Sequence, residues 1–207
     1  FEWSVISGAN IPVGGTMDVA RSQVDAFMKG EITNGYCVGP AYWSPDYYAH
    51  WSSNGERWFG AMRAKVRHQV VYQGKGWKPL HVTSSEWRGN EILLNCHVPV
   101  APLQFRKVWQ GQIYGFVKNF GFSVYSAPGG SQIDIESVSI VSDTTICIRL
   151  SSTPASAPYW TYAAWADSDY GSGNVCDSDP AVAYDSYRWL AGHPFTEREV
   201  SLLNRPY

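Results

Sequence analysis

One histidine stands where a catalytic base is readily held. In the run Tyr47-Tyr48-Ala49-His50-Trp51-Ser52-Ser53-Asn54-Gly55-Glu56, His50 lies just ahead of a segment with the marks of a capped helix. Imidazole titrates near neutrality, so it can take a proton from a reacting group and return it. A helix directly behind would fix its position. The alternative is a half-exposed loop histidine that hydrogen-bonds locally. The nearest preceding carboxylate is Asp46, four residues back. Tyr42, Trp43, Tyr48 and Trp51 cluster around His50, and amphipathic rings of this kind can line a sugar-binding cleft by stacking.

The other chemistry-bearing residues read as structural. His68 falls within the helical segment, His81 and His97 in or beside strands, and His193 before a proline in a loop. None pairs with another at metal-ligand spacing along the chain. Cys37, Cys96, Cys147 and Cys176 are far apart and form no C-x-x-C pair, so no zinc site, and no metal or cofactor of any kind, is expected. Two disulfides are arithmetically open, but strand positions bury a free thiol equally well, and free thiols are the expectation. Asp167, Asp169, Asp177, Asp179 and Asp185 mark an acidic, Gly- and Ser-rich stretch. Its spacing is not that of an EF-hand loop, and solvated turn carboxylates are the expected reading. Ser7-Gly8 and Ser172-Gly173 do not build a G-x-S-x-G elbow.

The elements that must position these groups follow from periodicity. Residues 2–6 look like a strand, Ala20, Val24, Phe27 and Met28 mark one helical face closed by Gly30, and Tyr36-Cys37-Val38 is a short strand. That strand, helix, strand order predicts a parallel α/β unit. Ser52 or Ser53 can cap a second helix, with Glu56 closing a capping box on Ser53. Trp58, Phe59, Met62, Val66, Val70 and Val71 form its apolar face, and Gly74 and Gly76 end it. From there the period changes to two. The runs 91–98, 133–141 and 144–150 alternate apolar and polar residues between turn-forming residues, which predicts an antiparallel β-sandwich beyond a boundary near residues 76–86. Trp160 and Tyr162 share one face of a further strand, expected to be buried.

Composition excludes several classes. With 207 residues the chain can bury a substantial core. A net charge of −2 and 16% charged residues leave no basic footprint for nucleic acid. No window is long and apolar enough for a membrane span, and no signal peptide is visible. The chain opens at Phe1 without an initiator methionine, which suggests a cut or processed start.

Taken in order, several blocks resemble a known family. Gly39-Pro40-Ala41-Tyr42, His50, Gly55 and Gly76-Trp77-Lys78-Pro79-Leu80 resemble the last third of an SGNH (GDSL-type) esterase domain. There, a strand leads to a loop with an Asp-x-x-His motif and a terminal helix. Gly89-Asn90-Glu91-Ile92, His97-Val98-Pro99-Val100, Tyr162-Ala163-Ala164-Trp165-Ala166 and Gly173-Asn174-Val175-Cys176-Asp177-Ser178-Asp179-Pro180 look like the β-rich domain that follows it in sialate O-acetylesterase-like and phage tail-associated proteins. The resemblance implies the end of a flavodoxin-like α/β hydrolase domain over residues 1–76, then an all-β sandwich domain with an irregular C-terminal segment over 86–207. It also implies a carbohydrate O-acetylesterase in which His50 is the base and Asp46 orients it, with Tyr42, Trp43, Tyr48 and Trp51 toward the substrate. Glycan or polysaccharide would be the partner, with a homo-oligomer or other virion subunits alongside, in a virion or extracellular setting.

Two departures stand out. The family's acid lies three residues before its histidine, where this chain has Tyr47, and no Gly-Asp-Ser nucleophile block occurs anywhere in the 207 residues. The nucleophile is therefore expected upstream of Phe1, and residues 1–207 alone are expected to be inactive. The substitution at Tyr47 also favours a second reading, a non-catalytic structural or glycan-binding tail component.

Overall fold

Among the described residues from His81 onward, strands pair into antiparallel sheets. The computed structural model describes residues 2–5, 26–27, 29–33, 35–40, 46–47, 50–51, 53–110, 113–164 and 173–179. In chain order the strands before the helix are β1 (Glu2–Val5), β2 (Tyr36–Pro40), β3 (Asp46–Tyr47) and β4 (His50–Trp51). Helix α1 (Ser53–Arg67) follows and runs on into a π-turn over His68–Tyr72. Beyond it come β5 (His81–Arg88), β6 (Glu91–His97), β7 (Gln104–Phe105), β8 (Val108–Gln110) and β9 (Ile113–Gly115). The last are β10 (Phe122–Tyr125), β11 (Gln132–Ile133), β12 (Ile135–Ser142), β13 (Thr145–Leu150), β14 (Tyr159–Tyr162) and β15 (Val175–Cys176).

Two sheets carry the main core. A four-stranded sheet has the order β12-β13-β6-β5 and a three-stranded one β11-β10-β14, with every pairing antiparallel. Ile92 and Leu94 of β6 and Ile146, Ile148 and Leu150 of β13 are buried against Phe122 and Val124 of β10, together with Leu103 and Val175. Each such aliphatic side chain contributes roughly 1.5–3 kcal/mol through burial. The β6/β13 pair is thus the energetic centre. Trp160 and Tyr162 pack against the same core but are only half-buried. Gly89 has φ 62 at the first central position of the two-residue β5/β6 turn, the pattern of a type II′ hairpin.

The expected flavodoxin-like α/β domain is not found. Most of the regular secondary structure among the described residues is β-strand, and α1 is the only α-helix of more than one turn there. β1 and β2 do pair in parallel, Glu2 opposite Tyr36 and Trp3 opposite Cys37, but as a two-stranded ribbon. A doubly wound sheet needs several parallel strands with helices on both faces. A strand, helix, strand order in sequence specifies one local unit and says nothing about how many more strands join it.

Elsewhere the local patterns hold. Ala26 and Phe27 are helical, and Gly30, at φ 77, closes that turn. The Glu31 amide donates to the Ala26 carbonyl and the Gly30 amide to that of Phe27, the paired bonds of a Schellman cap. The rest of the helix expected from Met17 lies outside the described residues. Helix α1 starts at Ser53 and buries Phe59 and Val66, seven residues or about two turns apart and so on one face, and Met62 and Val70 pack with Val66 against Val38 and Trp77.

Candidate functional site

His50 occupies β4, paired with β3, immediately ahead of α1. In this short ladder Tyr47 stands opposite His50 and Asp46 opposite Trp51. Tyr47 is therefore the direct cross-strand partner of the histidine, and Asp46 is one rung away. The expectation of a loop before the helix is corrected to a tight two-rung hairpin. Tyr42, Trp43 and Tyr48 lie outside the described residues, as does Ser52.

A cleft of about 500 Å³ opens further along α1. Its walls include Tyr36, Lys65, Gln69, Trp77, His97 and Asp179. α1 supplies Lys65 from its last turn. Lys65 is paired with Asp179 from the C-terminal segment, and its ammonium lies 5.4 Å from the centre of the Trp77 ring. Trp77 in turn donates from Nε1 to the Cys37 carbonyl at 2.8 Å. Helix, β2 and the segment after β15 are thus tied around one charged group.

Part of the acidic stretch is buried, against the expectation of solvated turn carboxylates. Asp177 and Asp179 are buried, at 9% and 7% exposure, and neither is a solvated turn carboxylate. Burial pushes the Asp177 carboxyl up from its ordinary value, while the Asp179 amide and the Lys65 charge oppose that shift. The Asp179 amide donates to Asp177 Oδ1 at 3.3 Å, and the Ser178 amide to the Val100 carbonyl at 2.8 Å. Asp167, Asp169 and Asp185 lie outside the described residues. No three His, Cys, Asp or Glu side chains come together as a metal site among the described residues.

Sequence spacing also missed a histidine pair. His81 and His97 are cross-strand partners at one end of the β5/β6 hairpin, with ring centres 5.2 Å apart. Burial lowers the pKa of His81; its hydrogen bond to Pro79 opposes this, and the charges of His97 and Lys78 add to it. The sequence carries no signal for the pair: the Gly89-Asn90 turn alone would set residue 81 opposite residue 98, and the register shift between Val82 and Ser84 brings His81 opposite His97.

Among the described residues the four cysteines form no disulfide. Burial raises the Cys96 thiol to about 11 and the Cys176 thiol to about 12, so neither is a nucleophile near neutral pH. No helix among the described residues is long and apolar enough to cross a membrane.

No protein-family model and no curated protein matches the sequence. Among solved structures, the fold is similar to that of a carbohydrate acetylesterase from Xanthomonas citri, with a TM-score of 0.56 and 15% identity. The likeness covers 85% of this chain and 38% of that one. The chain thus shares its fold with a part, less than half, of a carbohydrate acetylesterase.

Proposed function

We propose that this chain is part of a carbohydrate O-acetylesterase, with His50 as general base. The observation that carries the proposal is the fold likeness to a carbohydrate acetylesterase over 85% of the chain. Function does not follow from fold alone; the residues that could do the chemistry give the proposal its content. In an SGNH-type mechanism a serine attacks the acetyl carbonyl while a histidine takes its proton, and backbone or side-chain donors stabilise the oxyanion. His50 is held at the start of α1 by the β3/β4 hairpin, where it can serve as that base. Asp46, one rung away, is the carboxylate proposed to orient it. The serine and the oxyanion donors come from outside these 207 residues, because no Gly-Asp-Ser block lies within them.

Acetate release from an O-acetylated polysaccharide tests the reading in the full-length protein. His50→Ala should lower the rate by roughly a thousandfold or more. Asp46→Asn should lower it less and, by removing the charge that favours the imidazolium, move the acidic limb of the pH–rate profile to lower pH. Residues 1–207 alone should show no His50-dependent turnover. Near-normal deacetylation by full-length His50→Ala would end the assignment of His50, and absence of acetate release from the intact protein on every acetylated glycan tried would end the esterase reading.

A further inference from the structure

The His81–His97 pair plays no part in the esterase reading, and its surroundings suit a different task. We propose that these two imidazoles form a binding site for a borderline transition-metal ion of the zinc, nickel or copper type.

The first support is where the pair faces. On the next rung Val82 stands opposite Cys96, and both pack against the main core. Side chains alternate along a strand, so His81 and His97 project from the other face of the sheet. His97 lines the cleft there. The register then shifts between Val82 and Ser84, a bulge that re-aims the end of β5 carrying His81.

The second support is the tautomer. His81 Nδ1 lies 2.7 Å from the Pro79 carbonyl oxygen. A carbonyl oxygen can only accept, so Nδ1 carries the hydrogen and Nε2 holds the free lone pair. A metal-binding histidine has this arrangement, with one ring nitrogen donating to a backbone carbonyl and the other left to the ion.

The third support is distance. An ion about 2.0–2.1 Å from each ring nitrogen holds two tetrahedrally placed imidazoles with their centres roughly 5 Å apart. The observed separation is 5.2 Å, with the ring planes inclined at 39°. Two nitrogen ligands select borderline metals over calcium or magnesium, which require oxygen. The remaining coordination positions would be filled by water or by an oxygen ligand. The charged groups around the pair are Lys78, which acts on His81, and Lys65, Lys78 and Asp179, which share the cleft with His97.

The test is titration of the 207-residue chain, free of any purification tag, with zinc and nickel at about pH 7.5, followed by calorimetry and histidine-ring NMR. One ion should bind, and the His81 and His97 ring signals should shift or broaden first. His81→Ala and His97→Ala should each weaken binding at least tenfold, and His81→Gln and His97→Gln should do the same if the alanine variants fold poorly. His68→Ala should bind as the parent does. Affinity should fall as the pH drops below about 6, where imidazoles protonate. Failure to bind either metal at millimolar concentration would overturn the proposal. So would binding that survives loss of either histidine, or ring signals from 81 and 97 that stay unmoved.

Discussion

Replacing Asn174 with alanine should be among the most damaging single changes outside the aliphatic core. Asn174 is fully buried, at 0% exposure, and every polar atom of its side chain is used. Oδ1 accepts from the Val117 amide at 2.8 Å, while Nδ2 donates to the Arg106 carbonyl at 2.7 Å and the Gly115 carbonyl at 3.2 Å. Its backbone amide donates to the Phe120 carbonyl, and its carbonyl accepts from the Arg106 amide. The residue therefore pins the start of β15 to the stretches flanking β8, β9 and the turn at Asn119 and Phe120, both of which hold positive φ. Alanine would strand a buried amide at Val117 and release two carbonyls. A buried donor without a partner costs about 1–3 kcal/mol, and lost bonds to the two carbonyls add to it, giving roughly 2–5 kcal/mol in all. For a chain of this size each kcal/mol moves Tm by roughly 2–4 °C, so a loss near 3 kcal/mol lowers it by about 6–12 °C. Urea unfolding and calorimetry would measure this. Asn174→Asp keeps the acceptor but places a charge beside two carbonyl oxygens, so its deficit should shrink on acidification. An Asn174→Ala variant within about 0.5 kcal/mol of the parent would refute the reasoning.

Gly173→Ala should also destabilise, by roughly 1–3 kcal/mol, because the new methyl group would overlap the Tyr162 ring. That ring cannot easily withdraw, being packed on Phe122 and accepting a hydrogen bond from the Val175 amide at 3.0 Å; unchanged urea unfolding would show that it does. The pH dependence of stability should carry a contribution from His81. Its folded pKa lies below the ordinary 6.5, so the folded state binds fewer protons than the unfolded one, and stability falls as the pH drops through 6.5 toward the folded value. His81→Gln should flatten that part of the profile, and superimposable profiles for the two proteins between about pH 7 and 5 would contradict the assignment.

By itself, the sequence determined the elements whose signal is local. Phe59, Met62, Val66 and Val70 recur at helical spacing, and Gly74, with φ 63, ends the helical run, so the segment after His50 was readable as a helix. Residues 91–97, 135–142 and 145–150 are strands, rich in the β-branched and aliphatic residues and bounded by the turn residues that mark strands in sequence. Which partner each face meets is set elsewhere in the chain. The flavodoxin-like domain implied by the family resemblance failed for that reason, since a local order of elements does not count the strands that will join. Asp177 and Asp179 looked like solvated turn residues because their partner, Lys65, lies 114 residues before Asp179. Asn174 sat inside a run noted only for its resemblance, with no sign that it would satisfy groups on Arg106, Gly115 and Val117. His81 and His97 carry no ligand motif along the chain, and only the hairpin register makes them neighbours. His50 was singled out because its signal, a titratable ring ahead of a helix, is local. The pairing of His50 with Tyr47 depends on backbone hydrogen bonds between β3 and β4, and only the folded chain decides those.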